Sequence, residues 1–216
     1  MLSTIFSFLF PDYCLGCRKK GELLCKSCLA HAPHSLEDAG GLKAANARAI
    51  FAYKNPAIKK ALHFLKYNRA RRIADIFGLY LYEEMIEEVA EELLLHGDNP
   101  LLVVPIPLYS KRLRERGFNQ SELLARSFAK YNLEKLIVEP SVLIKTRQTK
   151  NQMELKRRER LENLEGCFSI KSPETIHGHI IILIDDIITT GATMREAKKV
   201  LLQSGARKVI CLAVAH

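Results

Sequence analysis

The sequence predicts an α/β protein, a parallel sheet flanked by helices, preceded by a small cysteine-rich module that needs a metal ion to hold it. Three observations carry that expectation. Apolar runs at 101–106, 181–184 and 208–213 have the length and continuity of strands buried on both faces. Helical periodicity fills much of the chain between strand-like runs, and strands interleaved with helices argue a parallel sheet. Cys14, Cys17, Cys25 and Cys28 form two Cys-x2-Cys pairs within fifteen residues.

With 216 residues and 48% hydrophobic composition, the chain suits one substantial domain plus a short module. The expected division is a zinc-binding module and linker over 1–41 and a main domain over 42–216. Two cysteine knuckles can set four thiolates tetrahedrally around one Zn²⁺, and such a closed site is structural, with no open coordination position. The segment 10–33 is too small to bury a core, so metal would hold it together. Disulfides or a redox role are the competing reading. Against them, residues 1–10 lack a basic leader region and are too short to span a bilayer. His31 and His34 are expected at the surface, since four sulfurs already fill a site.

Residues 33–41, ending in Gly40-Gly41, have linker composition. A strand over 45–53 and a helix over 56–67 should follow. A long helix over 74–95 places Ile76, Leu79, Tyr80, Met85, Ile86, Val89 and Leu93 at helical spacing. Its paired glutamates, Glu83-Glu84, Glu87-Glu88 and Glu91-Glu92, are expected to form a solvated face. The strand 101–106 precedes a helix over 119–131, and runs at 142–144, 167–170, 179–184 and 208–213 complete the strand set. A helix from Met194 should stop at Ser204-Gly205.

The most informative stretch runs from Ile181 to Thr193. Four apolar residues lead into Asp185 and Asp186, then Ile187, Ile188, Thr189, Thr190, Gly191, Ala192 and Thr193 bring the chain into a helix. The loop therefore sits at a strand's carboxyl end, where open α/β sheets bind ligands. Gly191 allows close backbone approach, and the helix start offers unpaired N–H groups to an anion. The threonines add hydroxyl donors. The aspartates accept hydrogen bonds and so suit sugar hydroxyls. Together these groups describe a site for a ribose 5-phosphate. The stretch resembles the 13-residue signature of type I phosphoribosyltransferases, which bind phosphoribosyl pyrophosphate (PRPP).

A wider resemblance covers essentially the whole chain. The cysteine knuckles, Leu65-Lys66-Tyr67, Val103-Val104-Pro105-Ile106-Pro107, Arg116-Gly117-Phe118-Asn119-Gln120 and the signature follow in the order of the ComF family. Gln152, Arg160, Asn163 and Gly166-Cys167-Phe168 match that family's linking segment. ComF proteins are type I phosphoribosyltransferase-like and are linked to natural competence, the uptake of DNA in transformation. The resemblance implies PRPP with Mg²⁺ as ligand and a pyrophosphate loop at Leu108, Tyr109, Ser110 and Lys111. It also implies a mobile loop over the polar stretch 145–166, closing on PRPP. Asn119 and Gln120 would either approach ligand or cap the next helix.

Charge is segregated along the chain. Net charge is +9 over residues 1–72, −8 over 73–104, +8 over 105–160 and zero over 161–216. Concentrated positive charge suits a polyanion, either PRPP or a nucleic-acid backbone, and a merely solvating surface is the plain alternative. The candidate DNA contacts are Arg112, Arg114, Arg116, Arg147, Lys150, Lys156, Arg157, Arg158 and Arg160. Three functional classes follow: a transferase acting on a nucleobase or other acceptor, a PRPP-binding protein that handles single-stranded DNA, and an adaptor to a DNA-uptake helicase or channel. The competence resemblance favours the second. It implies a cytoplasmic location near the inner face of the membrane, recombination or DNA-uptake proteins as partners, peripheral membrane association and no transmembrane segment.

Overall fold

The protein is described here from a computed structural model, which covers residues 12–32, 40–67, 70–97, 99–147 and 166–216. A short helix α1 (Lys26–Ala30) closes the cysteine segment, and α2 (Gly40–Ala45) leads into β1 (Ala47–Phe51). Next come α3 (Pro56–Phe64), α4 (Ala70–His96) and β2 (Leu101–Pro105). After β2 lie α5 (Ser110–Arg116), α6 (Gln120–Ala129), β3 (Leu136–Val138), β4 (Leu143–Lys145) and β5 (Phe168–Ile170). The chain ends with α7 (Pro173–Ile176), β6 (Ile180–Ile187), α8 (Ala192–Gln203) and β7 (Lys208–Ala215).

Five strands form one parallel sheet in the order β1-β7-β6-β2-β3. A parallel sheet must be covered on both faces, and strand alternation sorts the side chains accordingly. Ile180, Ile182, Ile184, Ile210, Leu212 and Val214 point into a core shared with α3, α4 and α6. Ile181, Leu183, Val209, Cys211 and Ala213 point to the other face, against Leu42 of α2 and Met194, Ala197 and Leu201 of α8. Each such aliphatic side chain contributes roughly 1.5–3 kcal/mol on burial. From β2 the chain returns beside β3 on one side, while β6 lies on the other. The strand order thus reverses between β2 and β6, which opens a crevice at their carboxyl ends.

The structure alters several sequence expectations. β4 and β5 are an antiparallel pair outside the parallel sheet. Their apolar residues, Leu143 and Phe168, instead cap the α8-side core. The edge strand β3 and helix α5 were not anticipated, because three apolar residues and a polar basic helix carry little periodicity. Gly40 and Gly41, expected in a linker, open α2. The glutamate face of α4 is not wholly solvated: Glu92 is buried and pairs with Lys208, while Glu88 meets Arg48 at 2.9 Å and Lys208 at 3.6 Å. Those partners lie on β1 and β7, which α4 crosses.

The cysteine segment is not packed separately. Leu23, Leu24, Leu29 and Ala32 join the same core as α3 and α4, and Arg72 of α4 pairs with Asp12.

At the crossing of α4 and α6, a β-carbon on Gly78 would lie 2.5 Å from Ser127 Cβ and 2.9 Å from the Phe128 amide nitrogen. Gly78→Ala should therefore lower stability by about 1–3 kcal/mol through overpacking, despite alanine's better helix propensity. Urea denaturation measures this, and an unchanged midpoint would show that the helices separate at no cost.

Candidate functional site

The crevice is built from the ends of β2 and β6. Ladder pairing continues past the first proline, because the Ile106 amide donates to Ile184 O at 2.9 Å. β6 itself runs through both acids to Ile187, so Asp185 and Asp186 stand side by side at the strand's carboxyl end.

Asp185 is almost fully buried. Its Oδ1 accepts from the Ser121 hydroxyl at 2.8 Å and from the Asp186 amide at 2.9 Å. Burial, with the Asp186 charge alongside, pushes its carboxyl up to about 8. Asp186 is also buried, and its Oδ2 has no hydrogen-bond partner. Its charge is felt by Arg116, whose own pKa burial lowers. Lys145, on β4, is depressed by burial and lies in the fields of Cys167 and Asp185.

The Arg116-Gly117-Phe118-Asn119-Gln120 motif explains itself here. Gly117 ends α5 with φ 81°, a left-handed turn that glycine adopts without strain. Asn119 caps α6 by accepting from the Ser121 amide at 3.1 Å, while its own amide donates to Ile106 O at 3.0 Å. Arg116 donates to Gln120. The motif thus ties the loop after β2 to the start of α6 and sets Ser121 against Asp185. Of the two roles considered for Asn119, the cap is the one observed.

Beyond β6 the chain turns, with the Ile188 amide donating to Ala215 O at 2.9 Å. Gly191, at φ 71°, precedes the twelve-residue helix α8 and makes no side-chain cap. Asp185, Ile187, Ile188, Thr189, Thr190, Gly191, Ala192 and Thr193 come together around one small concavity. Helix α2 presses on this loop from behind. A β-carbon on Gly191 would collide with Gly41 O, and one on Gly41 would collide with Thr189 O. Close approach therefore requires glycine at both positions, a pairing across 150 residues that no local signal reveals.

Leu108 and Tyr109 are half-buried in the loop after β2, whereas Ser110 and Lys111 are exposed in the first turn of α5. A cavity of about 720 Å³ opens beside them, walled by Lys66, Tyr67, Arg71, Arg72, Arg112 and Arg116. Arg112 and Arg116 were anticipated in the basic set. Arg114 is exposed and does not line the cavity, and Arg147 is exposed on the chain beyond β4. Lys150, Lys156, Arg157, Arg158, Arg160, Gln152 and Asn163 lie outside the described residues, as does His34. His31 is exposed, as expected.

Cys14, Cys17, Cys25 and Cys28 bring their sulfurs within 4.8 Å of one another. Two pairs stand at 3.6 Å. That spacing is far from a disulfide's roughly 2.0 Å and close to the ~3.8 Å edge of a tetrahedron of sulfurs around a metal ion. All six cysteines are free thiols. Amides of Cys25 and Cys28 donate to sulfurs at 3.4 and 3.5 Å. The Cys14 thiol, though desolvated, is held down to about 6 by backbone amides, and burial with neighbouring thiols pushes Cys28 up to about 12. Four sulfurs this close cannot all ionise unless a cation joins them, so the cluster fits a metal ion.

With the fold, the acid pair and the phosphate loop in place, the comparisons with other proteins decide the family. Residues 81–216 match the phosphoribosyl transferase domain. The chain belongs to that family. Its ComF character is equally shown by its relatives. The DNA utilization protein YhgH of Salmonella typhimurium is 31% identical over 154 residues, 71% of this chain and 65% of that protein. Competence protein ComFC of Bacillus subtilis is 31% identical over 158 residues, 73% of this chain and 58% of its own. Competence protein F of Haemophilus influenzae is 30% identical over 115 residues, 51% of this chain and 48% of its own. The chain thus spans less than two thirds of the length of these relatives. A hypoxanthine phosphoribosyl transferase from Trypanosoma cruzi overlays with TM-score 0.41 at 13% identity, over 64% of each chain. Among the described residues, no helix of this family member is long and apolar enough to cross a membrane.

Sequence reasoning missed Ser121, Arg71, Arg72 and the packing role of Gly41. Ser121 was the most accessible of these, since it follows the Asn-Gln pair at a helix start near the ligand-binding end of the sheet.

Two outcomes follow from these sites. Asp185 holds its proton in the folded state until about pH 8 but loses it near 3.8 when unfolded. Across that window the native state binds more protons, so stability of the ligand-free protein should fall as pH rises from about 4 to about 8. Asp185→Asn should flatten that slope, and denaturation curves at several pH values measure it. For the cysteines, metal analysis should give about one ion per chain, falling towards zero in Cys14→Ser or Cys28→Ser. Because Leu23, Leu24 and Leu29 then lose their support, the thermal midpoint should fall by at least roughly 5 °C.

Proposed function

We propose that this chain binds PRPP at the signature loop and handles single-stranded DNA along the adjoining basic cavity, in support of natural transformation. The observation that carries the reading is the position of Arg116, which lines the cavity and sits in the field of Asp186. One cation thereby joins a sugar-phosphate site to a surface of four further basic residues, Lys66, Arg71, Arg72 and Arg112. The relatives named for competence and DNA utilization support the same role.

In this reading Asp185 and Asp186 hold the ribose hydroxyls, and the partnerless Oδ2 of Asp186 is the atom with an acceptor site still open. The segment Thr189–Thr193, with the first amides of α8, holds the 5-phosphate. Leu108, Tyr109, Ser110 and Lys111 stand at the end of β2, where they would flank the pyrophosphate. Mg²⁺, when bound with PRPP, would offset the charge of that pyrophosphate. Zn²⁺ is the ion we assign to the four cysteines, because a closed all-sulfur tetrahedron suits it. The DNA contacts comprise Arg112, Arg114, Arg116 and Arg147, with Lys150, Lys156, Arg157, Arg158 and Arg160 of the polar segment. The protein would work on the cytoplasmic side, with DNA-uptake or recombination proteins as partners.

Calorimetry with PRPP tests the first half. Asp186→Asn should weaken binding by a charge-assisted hydrogen bond, about 1.5–3 kcal/mol, and unchanged affinity would refute the sugar assignment. Oligonucleotide titration across salt concentrations tests the second. Binding should fall steeply with salt, and Arg71→Glu with Arg112→Glu should weaken it for all sequences and reduce the slope while PRPP affinity persists. DNA binding indifferent to salt and to that charge reversal would leave the adaptor role instead.

A further inference from the structure

Three buried side-chain polar atoms lack a hydrogen-bond partner among the described residues: Glu88 Oε2, Asp186 Oδ2 and His216 Nε2. The first stands 2.9 Å from the Arg48 guanidinium, and the second belongs to the acid pair assigned to ribose hydroxyls. The third has no such account, and an unpaired nitrogen shut away from water is unfavourable and rare in native proteins. We propose that His216 is a positioning residue of the signature loop: its Nε2–H donates to the Thr189 carbonyl and so sets the Thr190 amide for a bound phosphate. The inference rests on the ribose-phosphate reading of that loop.

Placement is the first support. His216 follows β7, the strand beside β6. Its amide donates to Phe51 O at 3.1 Å, and its carbonyl accepts from the Tyr53 amide at 2.8 Å. One residue earlier, Ala215 O accepts from the Ile188 amide, where the signature turn leaves β6. The backbone that carries the ring is thus fixed to β1 and to the turn, so the ring loses little freedom on making a bond.

Proximity is the second. A β-carbon on Gly41 would stand 2.1 Å from Thr189 O and 2.7 Å from His216 Nε2. The carbonyl oxygen and the ring nitrogen therefore converge on one point, and a side chain at Gly41 would part them. A small movement of the turn would bring the two atoms to hydrogen-bond distance.

The geometry of the peptide unit is the third. The unit joining Thr189 to Thr190 is planar and trans, so its carbonyl and its N–H point in opposite directions. With Thr189 O turned towards Gly41 and His216, the Thr190 N–H is turned away from them. A donor on the carbonyl polarises the unit and strengthens its N–H as a donor in turn. It also resists the rotation that would withdraw the N–H from an anion. A carbonyl has two lone pairs, so this bond adds to any other that Thr189 makes. A neutral imidazole donates without placing a net charge behind the loop, and the bond selects the tautomer with its proton on Nε2. His216 acts through the backbone and does not touch the phosphate.

The test uses the full chain, PRPP calorimetry and magnetic resonance of isotope-labelled histidine and backbone amides. His216→Phe keeps the bulk of the ring without a donor, and His216→Gln offers an amide nitrogen in place of Nε2. In the PRPP complex the Nε2 signal should be that of a protonated, hydrogen-bonded nitrogen. PRPP affinity should fall roughly three- to ten-fold in His216→Phe, the worth of one hydrogen bond, and return to within about two-fold of wild type in His216→Gln. Thermal denaturation checks that the variants fold, and if His216→Phe does not, the Nε2 signal and His216→Gln decide. A bare Nε2 in the complex, or unchanged affinity in folded His216→Phe, would overturn the proposal. A wild-type chain that binds no PRPP would refute the ribose-phosphate reading, and inorganic phosphate then decides for His216. Shifts of the Thr190 amide and of Nε2 on adding phosphate would support the bond, and their absence would overturn it.

Discussion

Two adjacent carboxylates lie inside β6, a strand closed off from water on both faces, and most of the site follows from keeping them there. Burial pushes the Asp185 carboxyl up, with the Asp186 charge alongside it. Ser121 and the Asp186 amide supply hydrogen bonds to Asp185. Arg116 supplies positive charge near Asp186, and Lys145 supplies it near Asp185. None of these partners is local in sequence to the acids apart from the amide. They arrive through α5, α6 and β4, so the helices and hairpin around the sheet are also the electrostatic support of its ligand-binding end. A sugar hydroxyl meeting Asp186 would satisfy an oxygen that the protein itself leaves without a partner.

The amino-terminal part of the chain is bound to the same construction in two ways. Leucines of the cysteine segment share a core with α3 and α4, and α2 packs its Gly41 carbonyl against Gly191. The cysteine cluster therefore stands against the same core as the main sheet, and α2 stands against the signature loop. The sulfur tetrahedron, with amides aimed at its sulfurs, is arranged for an ion that neutralises several thiolates at once.

The ligand-binding end of the sheet is continued on one side by two cavities of contrasting chemistry. The larger gathers cations from α4, α5 and the turn after α3. The smaller gathers rings from α3 and the end of β1. The first is dominated by cations and the second by apolar and aromatic surface. A family fold built for one ribose phosphate thus adjoins surface suited to a nucleic-acid chain, in keeping with relatives named for competence and DNA utilization.

Much of the fold was legible in the sequence because buried parallel strands are continuous apolar runs. β2, β6 and β7 stand where those runs do, and the cysteine spacing foretold the sulfur cluster. The Ile181–Thr193 stretch specified its own loop, since a strand, an acid pair, a glycine and a helix start in succession leave few other conformations. Other features had no local signature. The antiparallel pairing of β4 with β5, the ion pairs that draw Glu88 and Glu92 to the sheet edge, and the contact between Gly41 and Gly191 each depend on residues far apart in the chain. The basic cavity is of the same kind, because Lys66 and Arg71 line one cavity with Arg112 and Arg116 only in the folded chain. Sequence alone determined β2, β6 and β7, the cysteine cluster and the signature loop, whose chemistry lies in contiguous residues. Tertiary structure decided which distant charges and rings surround them, because long-range packing and desolvation are set by the folded chain as a whole.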